Sequence, residues 1–104
     1  MNTEQIIKII AEGFENFDGA PDYSDGYCTD SLERRGAVAL IEAGLTVAGC
    51  EDDEYALSEY VADGLPMPGP ATDYLSNTRL AERVVNHINK NDGGFVALSL
   101  EASA

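Results

Sequence analysis

The stretch from residue 30 to residue 47 most constrains what this chain can fold into. Leu32, Val38, Leu40, Ile41, Leu45 and Val47, with Gly36, Ala37, Ala39, Ala43 and Gly44, cover most of a helical circumference there. The polar stripe narrows to Arg35, Glu42 and Thr46. A helix apolar nearly all round must be covered by neighbours, so the pattern predicts a buried central helix running to about Val47, with Leu40 and Ile41 in the core. Asp30 starts it, and Glu33 three residues later completes a capping-box arrangement. The small residues let neighbouring helices pack closely.

Three further segments show helical spacing. Between Thr3, read as an N-cap, and Phe17, the residues Ile6, Ile7, Ile10, Phe14 and Phe17 fall on one stripe, with Glu4, Lys8, Glu12 and Glu15 opposite. Gly13 inside this segment marks a place where another helix approaches. A third helix opens on Glu51, Asp52, Asp53 and Glu54, whose charges suit the positive end of a helix dipole, and runs to about Asp63 with Gly64 as its stop. Pro66, Pro68 and Pro70 then make an extended connector. A fourth helix begins between Thr72 and Asn77 and ends near Lys90, its core stripe being Leu80, Ala81, Val84, Val85 and Ile88. Phe95–Leu100 is short and apolar behind two glycines, which favours a strand; a terminal helical turn is the alternative. The expected fold is mainly α: a compact single domain over residues 1–104, about four helices around the buried central helix, with a short C-terminal strand.

Charge sets the surface. Nineteen acidic residues against six basic ones leave a net charge of −13 on 104 residues. Apolar residues still make up 44 %, which is ordinary for a folded domain and argues against disorder. Such charge argues against direct binding of DNA, RNA or anionic lipid, and instead attracts basic protein surfaces, including those that handle nucleic acids. Met1 is followed by Asn2, Thr3, Glu4 and Gln5, with no basic stretch or long apolar run, so neither a secretory signal nor a membrane span is expected. The expected location is the cytoplasm, with Cys28 and Cys50 as free thiols; their spacing matches no zinc or redox motif.

The sequence carries no catalytic or metal-binding motif. His87 is the single histidine, at the edge of the fourth helix's apolar stripe, with no Ser or Cys beside it in sequence. No nucleophile elbow, phosphate-binding glycine loop or zinc-protease pattern occurs. The loop after the first helix has the length of a calcium-binding loop, and Ser24, Asp30 and Glu33 fall at ligand positions counted from Asp22. Tyr27, however, occupies the place that needs glycine, and the fifth ligand is missing. A weak metal-binding module at this loop is the least favoured of three functions, and no metal, cofactor or enzymatic activity is expected.

Acids and tyrosines mark the candidate partner-binding surface. On the third helix Asp52, Glu59 and Asp63 point within about 40° of each other at 100° per residue, with Tyr55 beside them. The first loop adds Asp22, Tyr23, Asp25 and Tyr27. Tyrosine among carboxylates offers large area and a hydroxyl for arginine or lysine partners. A solvated helix face is the plain alternative. Arg79, Arg83 and Lys90 share one face of the fourth helix, too few for a nucleic-acid site.

Size, the runs Glu51-Asp52-Asp53-Glu54 and Asp22-Tyr23-Ser24-Asp25, and the lack of catalytic equipment give a chain that resembles the small acidic proteins bacteriophages use against host defence, above all anti-CRISPR inhibitors. The resemblance is one of character over the whole chain, with no shared motif, so no residue role carries across. It implies tight binding to a Cas component, often on a surface meant for nucleic acid, in the cytoplasm of a host cell. The leading expectation is therefore a non-enzymatic inhibitor, monomeric or weakly dimeric, acting on a basic partner surface. The alternative is a structural or adaptor domain that buries its apolar C-terminal segment against a partner chain.

Overall fold

The computed structural model describes residues 2–17, 31–51, 53–65 and 76–98. Helix α1 (Thr3–Glu15) begins one residue earlier than expected. Asn2 is the cap: its side chain accepts from the Gln5 N–H at 2.9 Å, and the Gln5 side chain accepts from the Asn2 N–H at 2.9 Å. This reciprocal pair outcompetes Thr3, which becomes the first helical residue. Ile6, Ile10 and Phe14 are buried, while Ile7 and Phe17 are half-buried.

Helix α2 (Leu32–Glu42) is capped by Ser31, whose Oγ accepts from the Arg34 N–H at 3.2 Å; the expected cap Asp30 lies outside the described residues. The helix is shorter than its apolar pattern suggested. Gly44 takes a φ of +80°, a conformation that glycine adopts without steric penalty, and the chain turns out of the helix there. Leu45–Thr46 then forms strand β1. The β-branched Thr46 and Val47 suit extended backbone better than a last helical turn. Thr46, expected on the polar stripe, is fully buried, and its hydroxyl donates to the Cys50 carbonyl at 3.2 Å. Leu40 is fully buried, whereas Ile41 is half-buried because that flank of α2 is only partly covered.

Helix α3 (Glu54–Gly64) is capped by Asp53, whose carboxylate accepts from the Ala56 N–H at 2.9 Å. Gly64 is its last helical residue rather than a stop beyond it. Its role is contact: a Cβ there would lie 2.7 Å from the Val84 Cα. Helix α4 (Asn77–Asn91) starts at the cap Ser76, and Leu80, Ala81, Val84, Val85 and Ile88 are all buried as their spacing required. Strand β2 (Val96–Ala97) pairs antiparallel with β1, Leu45 opposite Ala97 and Thr46 opposite Val96, and the Leu98 N–H donates to the Gly44 carbonyl at 2.8 Å.

The result is a mostly helical, compact domain; among the described residues it has four helices and one two-stranded sheet. The helices form a ring in which α1 and α3 each pack chiefly on α2 and α4. One core fills its centre, with Phe14, Ile10, Leu40, Leu57, Val61 and Ile88 among its fully buried members. Among the described residues no helix is long and apolar enough to cross a membrane.

The α1–α2 contact is close. A Cβ on Gly13 would sit 2.5 Å from the Arg35 carbonyl oxygen and 2.7 Å from the Ala39 Cβ. Gly13→Ala therefore sets two effects against each other: about 1 kcal/mol gained in helix propensity and about 1–3 kcal/mol lost to overpacking against backbone. Because backbone cannot swing aside, the clash wins, and urea unfolding is expected to give a lower midpoint. A raised midpoint would show that the two helices do not meet at Gly13.

Candidate partner-binding surface

Of the expected partner-binding residues, Asp22, Tyr23, Asp25, Tyr27 and Asp52 lie outside the described residues. The other three share the outer face of α3. Tyr55 is 73 % exposed in the first turn, and Glu59 and Asp63 follow at one-turn intervals, both exposed. Leu57 and Val61 anchor the opposite face in the core. The Tyr55 hydroxyl donates to the Glu59 carboxylate; that hydrogen bond first, and then the negative charge itself, hold the phenol above its ordinary range.

Glu51, Asp53 and Glu54 have separate local roles. Both carboxylate oxygens of Glu51 accept from the Gly49 N–H, at 3.1 and 3.0 Å. Asp53 caps α3, and Glu54 pairs with Arg34 on α2, Oε1 to Nε 3.5 Å. The pair is well exposed, so its worth is small. Behind this run sits Cys50, a buried free thiol. Burial foremost, then the charges of Asp53, Glu51 and Asp92, push its pKa up. Cys28 lies outside the described residues.

Three grooves between helices were not foreseen from the sequence. One, of about 410 Å³, lies where α2 meets the 51–54 segment and is lined by Val38, Ile41, Glu42, Glu51, Asp53 and Glu54. A second, of about 280 Å³, lies between α1 and α2 and includes Glu12, Asn16 and Glu42. A third, of about 470 Å³, lies between α1 and α4 and places Glu4, Glu12, Glu15 and Glu82 around Ile7 and Ala11, with Lys8 among them. Glu12 and Glu42 are each shared by two grooves, so the three are linked. The sequence signal for them was the excess of apolar residues on α2: Val38, Ala39 and Ile41 exceed what two neighbouring helices cover and stay half-buried.

The remaining candidates have local roles. His87 is half-buried, its Nδ1 lying 3.2 Å from Asn91 Nδ2, which also donates to the His87 carbonyl at 3.0 Å. Glu33 is on α2, and among the described residues no group of three or more His, Cys, Asp or Glu is placed to hold a metal ion. Arg79, Arg83 and Lys90 are exposed on α4. Comparison with protein-family models, with curated proteins and with solved structures found no match to this chain in any of the three.

Two measurements probe these environments. Glu59→Gln removes the charged acceptor of Tyr55, so the phenol pKa is expected to fall toward the ordinary value of about 10, followed through the tyrosine ring carbons by NMR. An unchanged value would mean that the two side chains do not meet. In a Cys28→Ser background, Cys50 should resist Ellman's reagent at neutral pH and react only as fast as the protein opens. Immediate reaction would place the thiol at the surface.

Proposed function

We propose that this protein acts without catalysis, by binding a basic protein surface of the kind that handles nucleic acid and inhibiting its owner. The observation that carries the proposal is where the carboxylates lie. Glu12, Glu15, Glu42, Glu51 and Asp53 are exposed along linked grooves, and Glu59 and Asp63 are exposed with Tyr55 on the outer face of α3. Carboxylates spread over several elements produce a field that steers a basic partner from a distance, while grooves and tyrosine give that partner shape to recognise. The resemblance to phage anti-defence proteins makes a Cas component the first target to test.

The adaptor alternative needs the apolar C-terminal segment for a partner chain. Within the described residues Phe95 packs against the core and the backbone of Val96 and Ala97 pairs with β1, while the side chains of Val96 and Ala97 stay exposed. The inhibitor reading is preferred on the carboxylate placement alone.

The test is charge removal at constant shape. Glu12→Gln, Glu42→Gln, Glu59→Gln and Asp63→Asn combined alter exposed side chains only, so each should change stability by less than about 0.5 kcal/mol. Against a CRISPR effector complex that the wild-type protein blocks from its nucleic acid, the association rate of the variant should fall about tenfold at low salt, the gap closing as salt rises. If the wild-type protein leaves nucleic-acid binding by representative effector complexes untouched at micromolar concentration, the defence-inhibitor proposal fails.

A further inference from the structure

The groove between α2 and the 51–54 segment differs from the other two in chemistry. The α1–α4 groove carries Lys8 among its carboxylates, and the α1–α2 groove is the smallest. The α2–α3 groove sets two half-buried aliphatic side chains, Val38 and Ile41, beside four carboxylates. Glu54 is partnered by Arg34. Glu51 and Asp53 are held in place by the Gly49 and Ala56 N–H groups and keep further acceptor capacity. Glu42 is exposed at the end of α2. At about 410 Å³ the groove lies within the range of ligand-sized clefts, ~300–1,000 Å³.

We infer that this groove seats an arginine side chain presented by a protein partner. The inference rests on the acidic-binder proposal above and assigns it a contact point. An arginine has the complementary form: an aliphatic stem that lies on apolar surface and a planar cation with five donors. Val38 and Ile41 take the stem, and Glu42, Glu51 and Asp53 surround the guanidinium. Carboxylates already oriented by backbone N–H groups lose little freedom on binding, which favours a specific contact over diffuse attraction. Guanidinium is also less strongly hydrated than the lysine ammonium, so bringing it against aliphatic side chains is less unfavourable.

The experiment is a ¹⁵N-NMR titration of the full chain at low salt with a capped Gly-Gly-Arg-Gly-Gly peptide, and with the same peptide carrying citrulline, the neutral isostere of arginine. Shifts are expected to concentrate on the amides of residues 38–42, 49–51 and 53–54 with the arginine peptide and to be absent with citrulline. Val38→Ser with Ile41→Ser leaves every charge in place and should weaken the arginine peptide about tenfold. Glu42→Gln, at an exposed position that keeps the fold even if the serine pair does not, should weaken it about threefold and reduce its salt dependence. Shifts spread equally over α1 and the outer face of α3, with no effect of either variant, would overturn the groove while leaving general acidic attraction intact. Equal binding of the citrulline peptide would overturn both, because charge would then not be what is recognised. No shift with either peptide would overturn the groove alone, since a polybasic surface engages many carboxylates at once.

Discussion

The close crossing of α1 and α2 is the contact on which the rest of the structure depends. It is reciprocal. Gly13 of α1 lies against the Arg35 carbonyl and Ala39 of α2, and Gly36 of α2 leaves room for the Phe14 ring, whose Cε1 would be 2.7 Å from a Cβ at that position. Two glycines, one on each helix, fix both the distance and the axial register of the pair. Phe14 is thereby carried into the centre of the ring, where it is 1 % exposed among residues from α3 and α4. Interiors packed to crystal-like density do not tolerate a shift of that register by even a methyl group. The same register sets Glu12 near Glu42 and so links the surface grooves.

The second constraint is the early end of α2. Gly44 turns the chain, β1 clasps β2, and the buried Thr46 hydroxyl ties the turn through Cys50 back to the strand. That turn brings Glu51, Asp53 and Glu54 alongside Val38, Ile41 and Glu42 of α2. An apolar flank left half-covered by helix packing thus acquires a rim of carboxylates.

A net charge of −13 works against compaction through self-repulsion, yet these acids are not simply dispersed. Asp53 and Glu51 accept backbone N–H groups that would otherwise lack partners, Glu54 faces Arg34, and Glu59 accepts from Tyr55. Such local bonds hold like charges near one another at the surface without burying any of them. The carboxylates so held still keep unused acceptor capacity.

The sequence by itself determined whatever depends on residues within one or two helical turns: four helical segments, the buried face of α4, Leu40 on an apolar face, the room that Gly13 leaves for a neighbour and the acidic outer face of α3. These follow from 3.6-residue periodicity and from side chains that meet their own backbone three or four positions away. It misplaced the cap of α1 by one residue because Asn2 and Thr3 are both good caps, and only the reciprocal bond with Gln5 separates them. Tertiary structure alone decided the end of α2. Leu45, Thr46 and Val47 satisfy an apolar helix pattern as well as a buried strand, and the choice rests on Val96 and Ala97, far along the chain, coming to pair with them. It alone decided the grooves as well, since a groove belongs to two elements and neither one's periodicity contains the other's position. Val38 and Ile41 read as core until the packing leaves them half-covered, and the acids that then surround them come from a segment that local patterning had assigned only to the start of a helix.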